Sequence, residues 1–224
     1  MDGLRRSSIG VLGGTFDPIH YGHLRIAEEI TEMAGLQQMR FIPAGLPRLR
    51  NAPVAAMGHR IEMTRLAIDD NRKFVLDERE VKREGASYTV ESMRELRQES
   101  GPGTTLCFII GADAFQKLVE WQDWRELFQL CHFIIAVRPG HALGLGRIDL
   151  PLELGNEYAE RLTMSAENLK HAPGGLILVA QTTLLDISAT LIRERVATGK
   201  SIRYLVPDAI RDYIAANRLY RNEE

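Results

Sequence analysis

Apolar residues along the chain gather in short unbroken runs, and between the runs they recur every three or four positions. The runs at 9–12, 39–42, 74–76, 106–110, 133–137 and 176–179 are rich in Val, Ile, Leu and Phe. A strand covered by helices on both faces reads this way, because neither face meets water; a strand with one wet face alternates instead. The stretches between predict helices over 22–33, 58–69, 89–98, 112–118 and 124–130, and two more follow the last run, at 189–197 and 207–217. In the final one Ile210, Tyr213 and Ile214 share a face, and Pro207 supplies a preset φ at its start. Strand and helix in repeated alternation predict an α/β fold: a doubly wound, Rossmann-like parallel sheet flanked by helices, with right-handed crossovers. In such sheets ligands bind at the carboxyl ends of the strands, at the switch point of the winding. Residues 139–175 interrupt the rhythm, bracketed by Pro139-Gly140 and Pro173-Gly174-Gly175. They read as a variable insertion with one helix near 154–162 and loops, inside a single domain spanning 1–224.

Composition narrows the partners. The chain has 224 residues, 45% of them hydrophobic, enough for one domain with a sizeable core. A formal net charge of −2 leaves no positive excess to hold a nucleic acid backbone, so no nucleic acid partner is expected. Cys107 and Cys131 are too few for a disulfide framework and lie in or beside apolar runs, which predicts two buried thiols. The apolar runs are far too short to span a bilayer, and the first residues lack the apolar stretch of a signal peptide, so the expectation is a cytoplasmic protein with no membrane partner.

The chemistry concentrates directly after the first run, where residues 13–23 read G-G-T-F-D-P-I-H-Y-G-H. Two glycines let backbone approach a ligand closely. His20 and His23 are three residues apart where a helix begins, so they face the same way. Imidazole N–H groups beside the free backbone N–H groups of a helix N-terminus make a site for a phosphate chain. A second such device follows the last run, where Asp186-Ile187-Ser188-Ala189-Thr190-Leu191-Ile192-Arg193 opens a helix with two hydroxyls and a guanidinium. Two apparent motifs fail on spacing. Gly199-Lys200-Ser201 resembles the end of a P-loop, but Glu194 stands where that motif needs glycine, and Gly10, Gly13 and Gly14 do not make a dinucleotide fingerprint. No paired C-x-x-C or H-E-x-x-H occurs, so no zinc site is implied.

The first box resembles the H-x-G-H signature of the nucleotidylyltransferase superfamily, and the second resembles its I-S-S-T-x-x-R signature, with Ala189 in place of the second serine. From about Ile9 to Tyr220 the chain resembles the bacterial nicotinate mononucleotide adenylyltransferases, which implies a sheet of the nucleotidylyltransferase type. The resemblance implies transfer of the adenylyl group of ATP to nicotinate mononucleotide, giving nicotinate adenine dinucleotide and pyrophosphate in NAD biosynthesis, with Mg2+ accompanying the ATP. It implies His20, His23 and Arg193 as catalytic residues. Gly13, Gly14, Thr15, Phe16, Gly22, Gly111, Asp113, Ile187, Ser188 and Thr190 would bind ATP. Asp17, Arg50, Tyr88, Thr89, Trp121 and Gln122 would bind the mononucleotide.

Each assignment has a plainer reading beside it. Ser188 is a good helix cap and Arg193 could be solvated. Asp113, after Gly111, could accept from a ribose diol or cap the following helix. Of Trp121 and Trp124, the first is expected at the ligand and the second in the core. Ser87-Tyr88-Thr89 resembles a segment whose backbone N–H favours a nicotinate carboxylate over an amide, and is equally a helix start. The stretch Pro43–Arg50 departs from the family pattern: Arg48 replaces a proline and Leu49 a histidine, while Arg50 keeps the basic phosphate-binding position. Arg60 is either a further phosphate ligand or a structural residue. Rival functions are a relative using nicotinamide mononucleotide or phosphopantetheine, and a catalytically silent nucleotide-binding regulator. A homo-oligomer is compatible with the sequence, which does not fix the assembly state.

Overall fold

The computed structural model describes residues 7–45, 52–137, 150–183 and 185–221. In chain order the elements are β1 (Ser8–Gly14), α1 (Tyr21–Met33), β2 (Gln38–Pro43), α2 (Met57–Ile68), β3 (Phe74–Leu76), α3 (Arg79–Lys82) and α4 (Thr89–Ser100). They continue with β4 (Thr105–Gly111), α5 (Ala112–Gln116), α6 (Trp124–Leu130), β5 (His132–Val137), α7 (Leu152–Arg161) and β6 (Leu162–Thr163). The last three are β7 (Ile177–Gln181), α8 (Ala189–Ala197) and α9 (Asp208–Ala216). Short 3-10 turns occupy Leu118–Glu120 and Ala166–His171.

The strands form one seven-stranded sheet in the order β3-β2-β1-β4-β5-β7-β6. β1 pairs with β4, β4 with β5, β5 with β7 and β6 with β7, all parallel. The order runs outward from β1 in one direction and from β4 in the other, which is the doubly wound topology expected from the apolar runs. The physical reason is plain in β5, whose six residues are all buried. At the switch point Leu12 of β1 stands in register with Ile109 of β4.

The described residues divide into two compact units. One takes those within Met1–Leu12, Glu29–Arg40 and Tyr88–Thr183; the other takes those within Gly13–Glu28, Phe41–Ser87 and Leu184–Glu224. In the first unit the guanidinium of Arg97 on α4 ties four backbone carbonyls together: Gly101 at 3.0 Å, Thr104 at 2.6 Å, Leu130 at 2.6 Å and Pro173 at 2.9 Å. His132 is wholly buried there, with Nδ1 accepting from the Leu176 N–H at 3.0 Å and Nε2 donating to the Ala172 carbonyl at 3.0 Å. Both cysteines are buried thiols, as their apolar surroundings predict, and burial pushes Cys107 up to about 12, which makes it inert as a nucleophile.

β3, α6 and α8 fall on their predicted bounds, and the other predicted elements are recovered with small shifts at their ends. The predicted helix at 112–118 is broken into α5 and a 3-10 turn, because Lys117 leaves helical geometry at φ −97°, ψ 10°. Two elements are absent from the sequence reading: α3, a single helical turn, and β6. β6 alters the picture of 139–175. Of this segment, 139–149 lie outside the described residues. The rest holds α7 and a two-residue strand whose Leu162 and Thr163 extend the sheet beside Ile177 and Leu178 of β7, rather than a helix and loops alone. Two residues are too few for either period to register.

Candidate active site

The first box opens where β1 ends. Phe16 is held at φ +48°, a left-handed conformation costly for a bulky residue, and its ring is buried. That ring meets His23 edge-on at 5.1 Å and leans on Phe41 at 6.0 Å. His20 precedes α1 and His23 lies within it; their rings stack with centroids 3.8 Å apart at 27°. The spacing of three residues thus does what it predicted, setting both imidazoles on one side of the helix start. His20 is 6% exposed, and its Nδ1 is buried with no hydrogen-bond partner among the described residues. A buried polar atom of this kind is uncommon and points to a ligand that supplies the missing partner.

Burial pushes the His20 imidazole down from its ordinary 6.5 to about 4. It is therefore neutral at pH 7, one ring nitrogen donating, and a phosphate beside it would favour the protonated form. The unfolded chain takes up this proton first, so the contribution is whole above pH 6.5 and is lost as pH falls toward 4. At pH 5 the loss is about 2 kcal/mol. The difference in unfolding free energy between the wild type and His20→Asn, from urea titrations at pH 7 and pH 5, should change by that amount; an unchanged difference would show that His20 does not cause the acid sensitivity.

Gly22 explains the middle of the box. A Cβ there would lie 2.9 Å from His20 Nδ1, 3.0 Å from Cε1 and 3.5 Å from the Ile187 carbonyl. The two sequence boxes therefore meet at this glycine. Alanine is the better helix former by about 1 kcal/mol, so propensity alone favours Gly22→Ala. The imidazole, stacked and buried, cannot swing away cheaply. We expect Gly22→Ala to lower kcat about 10-fold through misplacement of His20 while Tm stays within a few degrees of wild type. A variant with unchanged kcat would mean that His20 need not hold this position.

The second box opens α8. Ser188 is its N-cap, with Oγ accepting from the Leu191 N–H at 3.1 Å. The cap reading of Ser188 is thus realised, and its own hydroxyl proton remains to donate. Arg193 is not simply solvated: Nη1 donates to the Asp17 carbonyl at 2.7 Å, and Nη2 to Thr190 Oγ1 at 3.2 Å.

Asp17 is 4% exposed. Its carboxylate accepts from the Val54 N–H at 2.7 Å, the Ala55 N–H at 3.1 Å and the Tyr220 hydroxyl at 2.7 Å. Arg60 is 2% exposed and donates to the carbonyls of Thr15 at 2.8 Å, Ala44 at 2.9 Å and Gly45 at 3.4 Å. Of its two sequence readings, the structural one describes this side chain. Burial lowers its pKa, against the opposing pull of Asp17 and Tyr220. Gly13 and Gly14 carry the chain from β1 into the box, and the Gly14 carbonyl accepts from the Ala44 N–H at 2.8 Å. Arg48, Leu49 and Arg50 lie outside the described residues.

The remaining predicted residues belong to the first unit. Gly111 ends β4 and is the N-cap of α5, with no side-chain cap; Asp113 sits in the first turn and is exposed, so it is not the helix cap. Trp121 is half-buried, edge-on to Phe108 at 6.0 Å, and Gln122 beside it is exposed. Trp124 is buried against Phe128, with the Arg125 guanidinium 4.4 Å over its ring. Tyr88 is the N-cap of α4 and Thr89 its first residue, both half-buried. Ser87, in the other unit, gives its hydroxyl to the Glu80 carbonyl at 3.2 Å.

Sequence reasoning missed Tyr220, whose partner Asp17 is 203 positions away. The one signal available was that an aspartate inside so apolar a turn must find donors elsewhere.

A family model described as cytidylyltransferase-like matches residues 11–195. A protein from Dechloromonas aromatica named "Probable nicotinate-nucleotide adenylyltransferase" is 45% identical over 96% of this chain and 98% of its own length. One of the same name from Halorhodospira halophila is 46% identical over 92% of each chain. Among solved structures, a Plasmodium falciparum nicotinic acid mononucleotide adenylyltransferase complexed with NaAD has a TM-score of 0.68 at 18% identity, covering 96% of this chain and 98% of its own. At that identity the likeness establishes the fold. Among the described residues, no helix is long and apolar enough to cross a membrane.

Proposed function

The chain belongs to the cytidylyltransferase-like family and, within it, to the nicotinate-nucleotide adenylyltransferases, and from that membership we propose how its residues transfer the adenylyl group of ATP to nicotinate mononucleotide. The products are nicotinate adenine dinucleotide and pyrophosphate, a step of NAD biosynthesis. The observation that carries the residue assignment is the stacked pair His20 and His23 at the start of α1, with a buried unpartnered Nδ1 on His20, in the same unit as the anchored Arg193.

A 5′-phosphate oxygen of the mononucleotide attacks the α-phosphorus of ATP. The bond from that phosphorus to the bridging oxygen breaks, and pyrophosphate leaves with the electron pair. The nucleophile is already anionic, so no covalent intermediate and no general base are needed, and catalysis is positioning plus charge stabilisation. His20 and His23 donate to phosphate oxygens of ATP. Arg193, Ser188 and Thr190 hold the leaving phosphates, aided by the N-terminus of α8. The backbone of Gly13, Gly14, Thr15, Phe16, Gly22 and Ile187 lets the triphosphate approach. Gly111 and Asp113 take the ribose of ATP, the exposed carboxylate of Asp113 accepting from its diol. On the acceptor side Trp121 stacks on the nicotinate ring beside Gln122, Tyr88 and Thr89 present backbone to its carboxylate, and Arg50 meets its phosphate. We assign Asp17 to that side through the turn it anchors at Val54 and Ala55, since its own carboxylate is fully engaged.

Mg2+ accompanies the ATP and neutralises its phosphate oxygens. Among the described residues no group of three or more His, Cys, Asp or Glu is placed to hold a metal ion; in this reading the cation is held by the phosphates and keeps most of its waters. The compartment is cytoplasmic in this reading.

The test is pyrophosphate release from ATP and Mg2+, with nicotinate and nicotinamide mononucleotides side by side. A clear preference for the acid form is the expected result. No release with the acid form would overturn the proposal.

A further inference from the structure

We propose that Tyr220 is a positioning residue for adenylyl transfer: its phenol, through Asp17, fixes the guanidinium of Arg193. The inference rests on the role given to Arg193 above. The chain beyond α9 turns sharply, with Arg218 at φ +53° and Tyr220 at φ +61°, left-handed conformations that residues with side chains adopt only when the surroundings impose them. The turn sends the Tyr220 ring inward, where it is 9% exposed, and its hydroxyl donates to Asp17 Oδ1 at 2.7 Å. Burial and the neighbouring carboxylate keep that phenol protonated, so it remains a donor.

Asp17 connects the two sides. Its carboxylate has three donors, from Val54, Ala55 and Tyr220, and its carbonyl accepts from Arg193 Nη1 at 2.7 Å, with that nitrogen also 3.9 Å from Oδ2. Arg193 therefore reads the position of one residue twice, at its main chain and at its side chain. A buried carboxylate short of one donor turns toward the nearest cation, which here is the guanidinium needed for the leaving phosphates. By holding Oδ1, Tyr220 keeps Arg193 available to substrate.

The same segment carries an internal comparison. Tyr213 on α9 has its hydroxyl 3.0 Å from His59 Nδ1 on α2, so it too ties the C-terminal segment down, but among the described residues its hydroxyl is bonded to neither Asp17 nor Arg193. At a temperature well below Tm, Tyr220→Phe should lower kcat about 10-fold with KM for ATP changed less than about threefold. Tyr213→Phe should lower Tm and leave kcat within about twofold of wild type. In an Arg193→Ala background the effect of Tyr220→Phe on kcat should vanish, because two residues acting as one unit are not additive. Unchanged kcat in Tyr220→Phe would overturn the proposal, as would a full effect of that change in the Arg193→Ala background. The Nε–Hε resonance of Arg193, assigned with Arg193→Lys, gives a readout independent of turnover: it should shift in Tyr220→Phe and stay in Tyr213→Phe, and a resonance that stays in both would overturn the positioning role. If the wild type itself released no pyrophosphate, the functional reading would fail, and the resonance alone would decide whether Tyr220 positions Arg193.

Discussion

His23→Ala is expected to lower kcat by about 10²–10³, the usual consequence of removing one preorganised donor from a charge-developing transition state. The half-buried imidazole stacks on His20 at 3.8 Å and is braced at its edge by Phe16, whose strained φ of +48° sets the brace. A donor held this firmly costs nothing to reorganise when negative charge moves toward the leaving phosphates. Because the proposed mechanism uses no general base, it leaves little else to replace this donor. Loss of the ring removes the N–H and also half of the stack that holds His20, so the effect should exceed that of a single exposed hydrogen bond. The measurement is kcat for pyrophosphate release under saturating ATP and mononucleotide, with Tm recorded to show that the variant is folded. A variant turning over within about threefold of wild type would take His23 out of the chemistry.

The parallel strands were legible because burial on both faces leaves an uninterrupted apolar run, as in β5, where all six residues are buried. The placement of the two boxes was legible because it is local: His20 and His23 are neighbours at the start of α1, and Ser188, Thr190 and Arg193 share the first turns of α8. What escaped was either too short or too distant. β6 has two residues and no measurable period. The hydrogen bond from Tyr220 to Asp17 joins opposite ends of the chain, and nothing in either neighbourhood names the other. α2 was legible as a helix, but the makeup of its buried face was not. Its buried positions are Arg60, Met63, Thr64, Ala67 and Ile68, so a charged and a hydroxyl side chain stand where the 3.6-residue period calls for apolar ones. Thr64 resolves its own burial by donating to the Arg60 carbonyl at 2.8 Å. Arg60 resolves the burial of its Nη1 and Nη2 on carbonyls of other segments, which no local pattern predicts, while its Nε finds no partner among the described residues.

That burial makes Arg60→Ala the most destabilising change expected in this unit. The guanidinium is the shared donor for the Thr15, Ala44 and Gly45 carbonyls, joining the first box to the chain that leaves β2. Its charge also stands against the carboxylate of Asp17. Truncation would strand three acceptors, leave the Asp17 charge less compensated and open a void the size of the lost side chain, which together cost about 3–5 kcal/mol. For a chain of this length that corresponds to a fall in Tm of roughly 10 °C. Arg60→Lys should recover only part of it, because a point charge cannot serve carbonyls spread across a planar fork. Thermal unfolding at pH 7 measures the loss, and turnover at a temperature where the variant is still folded separates stability from ligation. Because the side chain is 2% exposed and spent on backbone, KM for both substrates should change far less than Tm. A variant with wild-type Tm and a strongly raised KM for the mononucleotide would instead make Arg60 a phosphate ligand, and the buried brace described here would be wrong.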